Sequence, residues 1–166
     1  MRFANIYRRD NYRDSGKLTT YFDIKDNFKM EEYLNIKKIQ YRQFFGKFRI
    51  SAHNLRIETG RYEQERNDSG QYIKLDRSRR LSVVSGSVED EFHFLFKCPF
   101  YNKERETVLN EIYKDNQNFL NLFDKQNFLW ILKKENSSKL FKLCNFLVIG
   151  FGMMRSRKIL DNRRSS

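Results

Sequence analysis

The sequence is poor in residues that staple, break or loosen a chain. Of its 166 residues, only Cys98 and Cys144 are cysteines, one is proline and seven are glycine. Two cysteines cannot build a secreted disulfide framework, so an intracellular setting, nucleus or cytoplasm, is expected. So little proline and glycine excludes collagen-like and proline-rich linker sequences. Histidine is confined to His53 and His93, which leaves few players for His-based catalysis. Long apolar runs are missing too. The longest, Leu143–Met154, is interrupted by Asn145 and two glycines and falls short of the ~18–20 residues that span a bilayer. It reads as a buried helix, and no membrane partner is expected. Residues 1–25 lack an apolar h-region, so no signal peptide is expected.

Positive charge and aromatic rings are abundant. Lys and Arg number 33 against 21 acids, a net charge of +12 that suits a polyanionic partner, RNA or DNA. The 16 Phe, 9 Tyr and one Trp are too many for a disordered tail. Alanine occurs only at Ala4 and Ala52, a bias that A/T-rich coding would produce. The aromatic excess is therefore not read wholesale as base-stacking equipment.

Periodicity points to a mostly α fold: a small helical domain with a short irregular or β-turn knuckle around residues 80–88. Residues 1–16 read as a flexible basic lead-in, 17–157 as one helical domain with an exposed loop at 63–80, and 158–166 as a basic tail. Helices are expected from Asp26 or Asn27 to Leu34 and over Ile36–Phe48, with Ile36, Ile39, Phe44 and Phe48 on one face. Ser51–Gly60 reads as a turn and short helix stopped by Gly60. Ser87-Val88-Glu89-Asp90 is a capping signal for a helix that Pro99 ends. Lys103–Tyr113, Lys125–Lys134 and a last helix capped by Ser137 or Ser138 follow. The last has Leu140, Cys144, Leu147, Val148 and Phe151 on one stripe.

His93 and Cys98 form an H-x4-C pair. On an ideal α-helix, five residues leave the two side chains ~140° apart, so they share a face only if the helix ends near Cys98. A C-x2-C half-site upstream would complete four zinc donors, but Ser82 and Ser85 stand there. A neutral hydroxyl is a poor substitute for thiolate. No metal and no cofactor is expected: His93 reads as a hydrogen-bonded helical residue and Cys98 as a small apolar filler. Glu89, Asp90 and Glu91 read as N-terminal helix acids. No phosphate-binding glycine loop, H-E-x-x-H or G-x-S-x-G is present, so no catalytic residue and no small-molecule substrate is expected. Arg49, Arg56, Arg61, Arg77, Arg79 and Arg80 interleave with aromatics and are the candidate nucleic-acid contacts.

Two phrases, Lys47–Tyr62 (KFRISAHNLRIETGRY) and Val88–Tyr101 (VEDEFHFLFKCPFY), resemble the C-terminal region of reverse transcriptase-like proteins of non-LTR (LINE-type) retrotransposons. The similarity runs from about Lys17 to about Arg157. It implies a post-polymerase zinc knuckle of the form R-L-C-x2-C, a spacer, then V-E-D-E-x-H-x4-C-P. His93 and Cys98 match its last two ligands, while Ser82 and Ser85 replace the first two. The polymerase aspartates and endonuclease signatures of such proteins are absent. The resemblance thus implies a detached, non-catalytic terminal module beginning at an internal methionine, with a degenerate knuckle. It also admits a decayed fragment that serves only as a structural or protein-interaction fold.

Overall fold

The computed structural model describes residues 19–25, 30–115, 124–133 and 137–164. The basic lead-in at 1–16, the caps Asp26 and Asn27, and Phe28 lie outside them. Among the described residues there are six α-helices: α1 Thr19–Ile24, α2 Ile39–Arg49, α3 Arg56–Thr59, α4 Asn102–Asp115, α5 Asp124–Lys133 and α6 Ser137–Arg164. Strands β1 (Gln64–Arg66) and β2 (Tyr72–Lys74) pair antiparallel as the one small sheet among the described residues. The fold is mostly α with a small turn-rich knuckle.

The core forms around α6, on which both α2 and α4 pack, while α1 lies against α5. The α6 stripe is the expected one: Leu140, Cys144, Leu147 and Phe151 are buried, and Leu143, Phe146 and Met154 widen it. Leu143–Met154 is therefore a core segment. Among the described residues no helix is long and apolar enough to cross a membrane. Gly150 lets the Phe94 ring press on the helix backbone, since a Cβ there would stand 2.7 Å from Phe94 Cζ. The α6 backbone remains helical through Arg164, so the stretch expected to be a tail from 158 continues the helix.

Helix α2 differs from expectation. It begins at Ile39, which is exposed, and buries Tyr41, Phe45 and Phe48, with Phe44 half-buried. Tyr41 Oη donates to Asn145 Oδ1 at 2.7 Å, and its ring packs at a tilt on Phe141, centroids 4.8 Å apart, fixing the helix on α6. Upstream, the described part of the helix expected to reach Leu34 is a 3-10 turn at Glu32–Asn35. The C-terminus of α2 is a Schellman closure: Ala52 N donates to Lys47 O at 2.7 Å and Ser51 N to Phe48 O at 3.3 Å. Ser51 takes the left-handed position, φ 54°, that glycine usually fills.

Residues 63–80, expected as loop, hold the β1–β2 ribbon. A turn locks it: Gly70, at φ 76°, donates to Asn67 O at 2.8 Å, and Gln71 N donates to Asn67 Oδ1 at 2.8 Å. Gly60 does not act as a left-handed helix stop. Its φ is −66°, and its missing Cβ makes room for Arg80, whose Cγ would lie 2.7 Å away.

Candidate nucleic-acid interface

The two phrases that carry the resemblance form one unit, joined by the acids of Val88–Glu91. Glu89 Oε2 accepts from Arg56 N at 2.8 Å and Glu89 O from Ile57 N at 3.0 Å, starting α3. Asp90 Oδ1 accepts from His93 N at 2.8 Å and is the true helix cap, a role the Ser87 side chain does not take. Glu91 is buried and reaches back to the α2 terminus, where Ser51 Oγ donates to its Oε1 at 2.5 Å and His53 Nε2 lies 3.0 Å from the same oxygen. Of the three acids expected at a helix N-terminus, then, only Asp90 caps its own helix. Burial pushes the Glu91 carboxyl up, but His53 and Ser51 together pull it below its ordinary value. Leu55 N donates to His53 Nδ1 at 3.4 Å, which leaves the imidazole proton on Nε2, aimed at Glu91. The carboxylate is thus the hub, and His53 does not face the Ser51 hydroxyl as a base. This arrangement orients no nucleophile.

A backbone bridge closes the turn that carries Ser82 and Ser85. Leu81 and Val88 form an isolated antiparallel bridge, and Ser82 N donates to Ser87 O at 2.7 Å. Inside the turn, Val84 N donates to Ser82 Oγ and Ser87 N to Ser85 Oγ, both at 3.3 Å, and Gly86 sits at φ 67°. Ser85 Oγ lies 3.1 Å from His93 Nε2. The angular mismatch between His93 and Cys98 is relieved because residues 93–97 wind as a π-helix. Cys98 N donates to His93 O at 2.8 Å, so five residues close about one turn. Arg105, which the sequence did not single out, is buried beneath and donates to the carbonyls of Phe94 and Cys98 and to Asn102 Oδ1. Burial, reinforced by Arg105, lowers the His93 pKa despite Asp90 nearby.

This donor set does not fit zinc. Two neutral hydroxyls stand where soft thiolates belong, and no group of three or more His, Cys, Asp or Glu suited to a metal forms among the described residues. Cys144 is fully buried in α6, with its thiol pushed up to about 12, so it serves as core filler.

The six candidate arginines are not one free strip. Arg49 is buried, pairs with Glu31 and lies over the Tyr33 and Phe45 rings. Arg56 makes a bidentate pair with Glu63, and Arg61 pairs with Glu58 at 2.9 Å. Arg80 clamps the backbone, donating to Ile57 O at 2.9 Å and Leu75 O at 3.0 Å. Arg77 and Arg79 face Asp90 and Glu65, but their side chains remain 55% and 64% exposed. They follow the ribbon, on which Tyr72 is 64% exposed with Arg66 4.9 Å from its ring centroid; Tyr62, 81% exposed, ends the 3-10 turn before β1. Tyr62 belongs to the arginine–aromatic strip read from the sequence; Tyr72 was missed because ring exposure has no signature in a sequence this rich in aromatics.

Compared with family models, curated proteins and solved structures, the chain matches none.

Proposed function

We propose that the protein is a non-catalytic nucleic-acid-binding module, the terminal part of a retrotransposon-derived protein whose knuckle has lost two sulfur donors. The observation that carries this reading is the ribbon. Its exposed Tyr72 shares a face with Arg66 and Lys74, Tyr62 is exposed just before it, and Arg77 and Arg79 follow it, on a chain of net charge +12. Tyrosine faces accept unpaired bases, and guanidinium groups accept phosphates. The pairs Arg77–Asp90 and Arg79–Glu65 are exposed at the arginine end, so each gives up little when the guanidinium turns to phosphate. The carboxylate-centred Ser51–Glu91–His53 group offers no activated nucleophile, which favours binding without chemistry.

The test is anisotropy of a labelled single-stranded RNA or DNA at ~50 mM salt. Binding is expected, and Arg77→Gln with Arg79→Gln should flatten the log K versus log salt slope by about 1.4, two contacts at ~0.7 each. Tyr72→Ala should cost about 1–3 kcal/mol. An unchanged slope in the double variant removes the ribbon from the reading. A second reading, a protein-interaction fold, is favoured by the exposed apolar tip Leu81, Val83 and Val84. It predicts no affinity for either nucleic acid.

A further inference from the structure

We infer that the outer face of the β1–β2 ribbon selects guanine, with Arg66 bonding the O6/N7 edge of the base. This rests on the nucleic-acid reading above and names the base that the ribbon recognises.

Alternation along the strands divides the ribbon into two faces. The register pairs Gln64 with Lys74, Glu65 with Ile73 and Arg66 with Tyr72. Gln64, Arg66, Tyr72 and Lys74 therefore share one face, and all four are exposed. Glu65 and Ile73 take the other, where Glu65 is half-buried and pairs with Arg79. The outer face thus carries hydrogen-bond donors and a ring, and none of its four strand positions is a carboxylate. Backbone bonds fix the ribbon at both ends. Leu75 N donates to Glu63 O at 3.0 Å and Arg80 to Leu75 O at 3.0 Å, while Asn67 N donates to Gln71 O at 2.9 Å beside the turn. A site on such a frame keeps its geometry better than one on a free loop.

Arg66 differs from the arginines described above. Those give donors to carboxylates, to backbone carbonyls or to an amide oxygen. The Arg66 guanidinium lies 4.9 Å from the Tyr72 ring centroid, and its Nη2 donates to Tyr72 Oη at 3.0 Å. This partner is neutral, and the contact restricts a long side chain before any ligand arrives. The fork keeps further N–H groups for a ligand. Two parallel N–H donors match the paired acceptors O6 and N7 of guanine. Adenine presents a donor in place of O6, and pyrimidines have no N7. The same edge is offered by an unpaired guanine and by one in the major groove of a duplex.

The test titrates the full chain with labelled uridine-rich strands that differ at one position. The strand with guanine should bind on the order of tenfold more tightly than the strand with adenine. Inosine, which keeps O6 and N7, should retain the gain, and 7-deazaguanine, which lacks N7, should lose it. Arg66→Lys should abolish the preference and leave the salt slope unchanged, because the charge stays while the fork goes. The same strands annealed to complements show whether the edge is read unpaired or in a duplex groove, by which form carries the preference. Equal affinity for guanine and adenine in both forms overturns the assignment, as does a preference that survives 7-deazaguanine or Arg66→Lys. In each of those cases the module reading stands. If no strand binds at ~50 mM salt, the module reading itself falls.

Discussion

Ser51 concentrates two opposing local effects. Its φ of 54° costs an L residue about 1–2 kcal/mol, yet its hydroxyl donates to buried Glu91. Ser51→Ala keeps the backbone cost and removes the donor, and should destabilise by about 1–3 kcal/mol. Ser51→Gly removes the donor but relieves the backbone, so it should be about 1 kcal/mol less harmful. Urea unfolding midpoints check the order, and equal losses would contradict the left-handed argument. His93 adds a pH dependence. Its pKa lies below the ordinary imidazole value of about 6.5, chiefly through burial. The unfolded chain therefore takes up that proton more readily than the folded one. The stability tied to neutral His93 is complete above about pH 6.5 and is lost as pH falls below it. Glu91, lowered from the ordinary carboxylate value of about 4.3, loses its contribution only in a more acid window. Melting temperature should thus fall between pH 7 and 5.5, and His93→Gln should flatten that fall. An unchanged fall in the variant assigns the dependence elsewhere.

At the scale of elements, the long amphipathic stretches were legible and the short devices were not. The α6 stripe follows 3.6-residue spacing, and its burial could be read directly from Leu140, Cys144, Leu147 and Phe151. On helix α2 one position was misread: Phe48 is buried and Ile36 and Phe44 pack against the core as expected, but Ile39 is exposed and Tyr41, held by Asn145 and Phe141, is buried instead. The ribbon escaped notice because three-residue strands leave too little alternation to detect. The π-turn at His93–Lys97 has no pattern of its own, yet it aligns His93 with Cys98. In the turn at 82–87, the N–H groups of Val84 and Ser87 point at Ser82 Oγ and Ser85 Oγ and would suit sulfur acceptors equally well. Ser82→Cys with Ser85→Cys should therefore bind one zinc per chain and raise the melting temperature, because metal bound only by the folded state adds to its stability. Elemental analysis and melting with and without chelator check this. No zinc uptake would mean that the four positions do not converge.

Across the whole molecule, the charge total was legible while its placement was not. A count of +12 predicts attraction to a polyanion, but the spacing of Arg49, Arg56, Arg61 and Arg80 could not reveal that Glu31, Glu63, Glu58 and backbone carbonyls already engage them. Of the six, Arg77 and Arg79 keep more than half of their side chains exposed. In the buried polar centre the Glu91 carboxylate, and not His53, faces the Ser51 hydroxyl. The most direct measurement is a salt-titrated binding curve of the full chain with a short single-stranded RNA and DNA. Affinity that is measurable at ~50 mM salt and falls linearly in log K against log salt is the expected result. No affinity for either strand at ~50 mM salt would contradict the account.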